Sequence, residues 1–297
     1  MALTQTALVL VSYGGQGMVE LESGERINCK YRRSVGRPYC GDRVDIQRAD
    51  EQSAVVSRIH SRENVFVRAD ARKRKQVIAA NLDQALVIIA PRPEPSRDLV
   101  ERYLVAIHSL GIEPVIVINK TELLLEQSYD SKSPLGRLAD YQKLAYQVLH
   151  TSCKTEPGIL GLESILENKT SILIGQSGVG KSSLANELLP DLALQTGSLS
   201  NATGKGIHTT TTTIMYSIPA GGRLIDSPGV WEYGLWEMDA EELANGFIEF
   251  KPFMGYCKFN DCQHDHEPKC AIREAVESGD LLPWRYHSYI RLLRQRG

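Results

Sequence analysis

The sequence predicts a multidomain protein: an N-terminal β-barrel, a central α/β unit on a mostly parallel sheet, and a small C-terminal metal-binding tail. Three observations predict it. Short β-prone runs separated by turn residues fill the first 75 positions. From Leu82 onward, buried-strand runs alternate with helical periodicity. Three of the six cysteines gather between positions 257 and 270. At 297 residues, 42% hydrophobic and 24% charged, the composition is that of a globular chain long enough to bury a core without disulfides.

The barrel is read from runs at 7–12, 18–21, 43–46, 54–59 and 65–67, at the spacing of a small closed sheet. Net charge is −2 overall, yet residues 1–75 carry +5, residues 76–245 carry −8 and residues 246–297 carry +1. Cys29-Lys30-Tyr31-Arg32-Arg33 and Arg72-Lys73-Arg74-Lys75 supply much of the positive end. Basic and aromatic residues interleaved on a barrel fit an OB-type nucleic-acid surface, and equally a plain barrel with a solvated exterior. No apolar run approaches the ~20 residues that span a bilayer. Residues 1–12 lack a basic leader and run into Gly14, Gly15 and Gly17, so they read as a strand and turn, not a signal peptide. A cytoplasmic protein without membrane contact is expected.

In the central unit, residues 82–90 read as a buried strand ended by Pro91, Pro93 and Pro95. A helix over 98–110, a strand over 114–118, a second helical stretch over 138–149 and a strand over 171–174 follow. A helix then opens at Lys181, a strand runs over 223–225, and another helix begins beyond Asp239. Alternating strands and helices predict a parallel sheet covered on both faces. The expected domains are 1–75, 76–240 and 241–297.

Gly175-Gln176-Ser177-Gly178-Val179-Gly180-Lys181-Ser182 is a G-x-x-x-x-G-K-S phosphate loop, set between a strand and a helix as that motif requires. Its backbone N–H groups would curl around phosphates, Lys181 would reach the β- and γ-phosphates, and the Ser182 hydroxyl would ligate magnesium. Asp226-Ser227-Pro228-Gly229 ends a later strand. There Asp226 could hold magnesium through water, and the Gly229 N–H could sense the γ-phosphate. Between them lies Thr209-Thr210-Thr211-Thr212-Thr213, from which Thr210, then Thr209, is favoured as the remaining magnesium ligand.

Asn119-Lys120-Thr121-Glu122 resembles the guanine-reading N-K-x-D loop of GTPases, with Glu122 where Asp is expected. Thr151-Ser152-Cys153 stands where a short loop closes over the base. The base loop precedes the phosphate loop, the reverse of the usual order, and circular permutation produces that arrangement. In the tail, Cys257-x4-Cys262-x-His264-x5-Cys270 matches a closed structural zinc site, with His266 an alternative to His264. Cys29, Cys40 and Cys153 read as ordinary thiols.

Over nearly its full length the chain resembles the circularly permuted small-subunit ribosome biogenesis GTPases, the RsgA family. The stretches that carry this are Gly41-Asp42-Arg43-Val44, Asn81-Leu82-Asp83, Asn119-Lys120 and the loop from Gly175 to Ser183. Further on come Gly204-Lys205-Gly206-Ile207-His208-Thr209-Thr210-Thr211, Asp226-Ser227-Pro228-Gly229, and the cysteine pattern with Glu267-Pro268 inside it. The resemblance implies an OB barrel, a permuted P-loop GTPase and a zinc-binding tail in a monomer. It implies GTP hydrolysis to GDP and phosphate, stimulated by the small ribosomal subunit and its rRNA late in that subunit's maturation. Val230 leaves no Gln after Gly229 to orient water, which makes His208 the candidate for that task, or else a hinge residue in a mobile segment. Two rival readings are a nucleotide-gated RNA-binding checkpoint with incidental hydrolysis, and a P-loop ATPase should Glu122 fail to read guanine.

Overall fold

In the computed structural model, the described residues are 4–69, 75–126, 128–156, 158–189, 213–226 and 238–295. Five strands close the barrel: β1 (Thr4–Tyr13), β2 (Gln16–Leu21), β3 (Arg26–Tyr31), β4 (Arg43–Arg48) and β5 (Ser53–Ile59). The order around it is β1-β2-β3-β5-β4 and back to β1, antiparallel except for the β3–β5 pair. This is the closed five-stranded arrangement expected of an OB-type barrel. Ala7, Val9, Val19, Ile27, Cys29, Val44, Ile46 and Val56 fill its interior.

The strand Arg26–Tyr31 was not expected, because Arg26, Asn28 and Lys30 alternate with its buried residues and read as a basic segment. The run at 65–67 is not a barrel strand. It forms an antiparallel hairpin of its own, β6 (Val65–Ala69) with β7 (Lys75–Ala80), leading out of the barrel.

A bulge in β1 gives that strand two allegiances. Val9 pairs with Val19 but Val11 pairs with Met18, so Leu10 is the extra residue and the side-chain alternation slips by one. Ala7 and Val9 therefore face the barrel interior, whereas Leu10 and Val11 each join one of the two cores flanking the central sheet. Gly41-Asp42 and Asn81 stitch the same junction. Arg62 grips the fully buried Asp42 carboxylate through Nε and Nη2 at 2.7 and 2.8 Å. Asn81 Nδ2 donates to Gly41 O at 2.9 Å. Gly41 has φ +91, and a Cβ there would lie 2.1 Å from Ala80 O, so no other residue fits.

The central sheet contains β8 (Gln84–Ile89), β9 (Glu113–Ile118), β10 (Gln147–His150), β11 (Thr170–Ile174), β12 (Ile214–Ser217) and β13 (Arg223–Asp226). Its order is β10-β9-β8-β11-β13-β12, parallel up to β13, with β12 antiparallel. All six residues of β8 are buried, as a central parallel strand demands. Among the described residues four α-helices flank the sheet: α1 (Leu99–Ser109), α2 (Leu138–Lys143), α3 (Leu160–Leu166) and α4 (Lys181–Leu188). The expected helix over 138–149 is corrected: the chain turns at Ala145 (φ +64) and residues 147–150 form β10. One pairing, Val11 with Ile214, joins β1 to β12, and Arg223 Nη1 meets the buried Glu20 carboxylate at 2.8 Å beside it.

The tail comprises α5 (Ala240–Asn245), a 3-10 turn (Ile248–Phe253), α6 (Ala271–Ser278) and α7 (Pro283–Arg294). Asp239 and Glu242 form a reciprocal capping box at the start of α5. The tail packs on α1: Val105 joins Phe247, Phe250, Ile272 and Tyr289 in one core. Beneath it, the fully buried Arg285 donates through Nε and Nη2 to Glu249, the second bond at 3.2 Å, and stacks 4.5 Å over the Phe247 ring. Glu101 Oε1 lies 3.8 Å from Arg285 Nη1 and accepts from Tyr141 Oη. Burial pushes the Glu101 carboxyl above its usual range despite that cation. Arg291 forks onto Asp98, just before α1, at 2.6 and 2.9 Å. Among the described residues no helix is long and apolar enough to cross a membrane.

Removing one partner of a buried ion pair leaves the other uncompensated, at a cost of about 3–5 kcal/mol. Arg285→Met is therefore expected to lower stability by about that amount in urea denaturation. A loss below about 1 kcal/mol would mean that Glu249 and Glu101 are relieved by solvent.

Candidate nucleotide site and metal centre

The loops that leave β8, β9, β10 and β11 converge at the C-terminal edge of the parallel sheet, where open α/β sheets bind ligands. The phosphate loop begins at Gly175, directly after β11. Its φ is +147, and a Cβ would lie 2.2 Å from Ile88 O of β8, so the chain passes too close for any side chain. Gly178 (φ +81) and Gly180 (φ +98) continue the curl, and Gly180 caps α4, whose first residue is Lys181. Val179 is buried in the core on that face and pins the loop, while Ser177, Ser182 and Ser183 are exposed.

The loop's carbonyls are occupied by neighbouring side chains. Lys181 Nζ donates to Gly175 O and Gln176 O at 2.6 and 2.9 Å. Lys120 Nζ donates to Gly178 O at 2.5 Å and Arg92 O at 2.9 Å. The buried Asn119 donates through Nδ2 to Val179 O at 2.9 Å. With these carbonyls received by Lys181, Lys120 and Asn119, the N–H groups of the curl and of the first turn of α4 could serve an anion. The 91–98 segment braces the other side, where Gln176 Nε2 donates to Pro93 O at 2.9 Å. Sequence reasoning missed this brace, having read the prolines only as strand terminators.

The base loop is bolted to the 151–153 loop in three places. Asn119 Oδ1 accepts from the buried Thr151 hydroxyl at 3.2 Å. Thr121 donates through N and Oγ1 to Thr151 O at 3.2 and 3.1 Å. Glu122 Oε2 accepts from Ser152 Oγ at 2.8 Å. Two loops 30 residues apart in sequence thus form one wall, reached because β9 and β10 are parallel neighbours. Asp226 is exposed at the end of β13, paired with Ile214. Thr213 is described, but His208, Thr209, Thr210 and Gly229 lie outside the described residues.

In the tail, the sulfurs of Cys257, Cys262 and Cys270 and Nδ1 of His264 all lie within 4.8 Å of one another. Cys257 Sγ is 3.9 Å from Cys270 Sγ and 3.5 Å from His264 Nδ1, which is 3.4 Å from Cys270 Sγ. Ligands held tetrahedrally at about 2.0–2.3 Å stand roughly 3.5–3.8 Å apart, so three thiols and one imidazole fit a metal ion here. His264 supplies the imidazole of the cluster, and His266 is exposed. Burial pushes the Cys262 thiol up to about 12 and holds the His264 imidazole below its usual range. Metal binding must therefore displace thiol protons. The surrounding loop is cross-linked by hydrogen bonds: the Glu267 carboxylate accepts from the N–H groups of Gln263, Asp265 and His266, and Tyr289 and Tyr286 donate to Gln263 O and His264 O. Cys29 and Cys40 are buried thiols, whereas Cys153 is half-buried in the base-side loop.

A family model for the RsgA GTPase matches residues 59–236. The chain is 45% identical over 265 residues to the small ribosomal subunit biogenesis GTPase RsgA of Chromohalobacter salexigens, covering 89% of this chain and 77% of that protein. It is 42% identical over 294 residues to the protein of that name from Haemophilus influenzae, covering 98% and 84%. Among solved structures it is similar to YjeQ from Thermotoga maritima, with TM-score 0.79 and 31% identity, 99% of each chain being covered. It also resembles YloQ, described as a circularly permuted GTPase, with TM-score 0.77 and 26% identity over 99% of this chain and 95% of that one.

The purified protein is expected to carry one metal ion in the tail cluster, and Cys262→Ser to lose it. Amide exchange should then rise across 255–278 while α4 keeps its protection. Full metal content in Cys262→Ser protein, by elemental analysis, would remove Cys262 from the ligand set.

Proposed function

The chain belongs to the RsgA GTPase family, and from that premise we propose that it hydrolyses GTP to GDP and phosphate during late maturation of the small ribosomal subunit, as a cytoplasmic monomer. The observation that carries the reading is the Asn119 bond to Val179 O, which joins the base loop to the phosphate loop although their order in the chain is reversed. Asn119, Lys120, Thr121, Glu122 and Ser152 receive the guanine. The Glu122 carboxylate accepts from the two N–H groups on the guanine edge, which adenine does not offer. Gly175, Gln176, Ser177, Gly178, Val179, Gly180, Lys181, Ser182 and Ser183 hold the phosphates, with the Lys181 charge centred in the curl.

Ser182, Thr210 and Asp226 are the residues that would hold magnesium, whose chemistry is to neutralise charge on the β- and γ-phosphate oxygens. Gly229 N–H senses the γ-phosphate, and His208 orients the attacking water. Because Val230 offers no side chain for that task, the nucleophile is poorly placed in the free protein and turnover is slow. The tail's metal is zinc, held by Cys257, Cys262, His264 and Cys270, with no ligand position left for chemistry.

The partner is the small subunit's rRNA. Arg32, Arg33 and Arg37 are exposed on the connection between β3 and β4, and the Arg37 and Arg62 guanidinium groups lie 5.5 and 5.0 Å from the Tyr39 ring centre. Cations and a ring grouped this way suit phosphates and bases.

Three measurements test the reading. Small subunits should accelerate GTP hydrolysis by orders of magnitude, and Lys181→Ala should abolish it. Charge reversal of Arg32, Arg33 and Arg37 should weaken subunit binding and flatten its salt dependence, leaving intrinsic hydrolysis unchanged. Equal rates with and without subunits would overturn the ribosome-gated mechanism.

A further inference from the structure

We propose that the tail positions the phosphate loop, with Arg291 as the positioning residue: by clasping Asp98 it holds the 91–98 brace against the nucleotide cradle. The inference rests on the nucleotide reading given above. It adds a control that runs through side-chain contacts, not through the chain that leads from the D-x-P-G turn to the tail.

The brace meets the nucleotide loops at its front end. Gln176 Nε2 donates to Pro93 O at 2.9 Å and to Glu94 O at 3.3 Å. Lys120 Nζ donates to Arg92 O at 2.9 Å and also to Gly178 O. Gly178 packs close to Pro93, for a Cβ on it would stand 3.5 Å from Pro93 Cδ. The backbone at 92–94 therefore bears on both loops that receive the nucleotide. Its acceptors are main-chain carbonyls, so they keep their aim only while the segment itself is held.

The tail does the holding. Asp98 stands at the N-cap of α1, where an aspartate ordinarily accepts from the first N–H groups of its own helix. Here its side chain makes no such bond. Its two oxygens go instead to Arg291 of α7, whose Nη2 donates to Oδ1 at 2.6 Å and Nε to Oδ2 at 2.9 Å. Arg291 Nη2 also donates to Ser288 Oγ at 2.8 Å, which fixes the fork from its own helix. A forked guanidinium–carboxylate pair sets direction as well as distance.

A second contact from the same helix converges on the segment. The Arg137 guanidinium stacks 4.4 Å over the Trp284 ring, and its Nε donates to Ser131 O at 2.6 Å. Two residues on, the buried Ser133 hydroxyl donates to Glu94 Oε1 at 2.7 Å. One tail helix thus reaches the brace at Glu94 and at Asp98. A cradle ordered in advance binds more tightly than one that must be ordered by its ligand. Anything that grips α7 can in this way act on the phosphate loop.

The test uses the full-length chain with GDP, by titration and by amide exchange. Wild type should bind GDP, and saturating GDP should slow exchange in α7, because coupling between two sites is reciprocal. Arg291→Ala and Asp98→Ala should each weaken GDP binding about fivefold or more. The double variant should be no weaker than either, since both substitutions remove one link. The GDP effect on α7 should shrink in all three. Arg294→Ala, which breaks the exposed pair with Asp265 on the same helix, should leave GDP binding unchanged. If a variant does not fold, the wild-type exchange measurement decides alone. Should wild type bind no GDP, the nucleotide reading itself falls. Suppose instead that wild type binds GDP while α7 exchange ignores it, the variants melt earlier with unaltered GDP affinity, or the two losses add. Any of these leaves the nucleotide reading standing and overturns the positioning role.

Discussion

The carbonyls of the phosphate loop have to point somewhere, and in this protein four of them are received by Lys181, Lys120 and Asn119. That constraint organises the rest of the site. A loop that curls its N–H groups toward an anion necessarily turns carbonyls the other way, and buried carbonyls need donors. Two of the three donors belong to the Asn119–Glu122 loop, so that loop and the phosphate loop are one hydrogen-bonded unit. Such a unit depends on which strands are neighbours, not on which comes first in the chain. β9 and β11 flank β8 whether the chain enters at one end or the other, and circular permutation leaves the constraint satisfied.

The junction with the barrel follows from a smaller irregularity. Before the extra residue at Leu10, β1 keeps Ala7 and Val9 on the barrel interior and sets Leu8 against the core beside the central sheet. With it, the strand contributes to the barrel core and to the cores on both sides of the central sheet, and Val11 reaches the antiparallel strand β12. That strand and its hairpin partner β13 border the segments that hold the threonine run and the D-x-P-G turn. A surface on the barrel is thus two strand pairings away from Asp226.

Much of this was legible in the sequence wherever residue type is forced by geometry. Gly175, Gly178 and Gly180 announce positive φ and close backbone approach, and the cysteine spacing announces a cluster able to hold a metal ion. The bland-looking motifs Gly41-Asp42 and Asn81 also proved structural, since they lock the barrel to the hairpin that follows it. Two misreadings have physical causes. Ile27 and Cys29 do alternate as a strand should, but the charges between them drew attention to the surface. Leu138, Tyr141, Leu144 and Val148 fall at helical spacing and all touch the same core, yet the chain turns at Ala145, so their common burial comes from a helix and a strand in succession. The 91–98 brace was invisible because its contacts are made by backbone carbonyls, which carry no residue signature.

The docking of the tail on α1 bears on how this protein can be cut and recombined. Val105 is buried only because Phe247, Phe250 and Tyr289 cover it, and Glu101 tolerates its burial beside Arg285. A shortened chain ending before the tail would open an apolar stripe on α1 and strand a carboxylate that no longer has its cation. The tail is therefore not an exchangeable cassette. A chimera that borrows it from another protein has to bring a matching first helix, with an acid at position 101, another at 98 and a small aliphatic face at 105. Selection on either segment is selection on both, so substitutions at these positions should travel together through the lineages that carry this architecture.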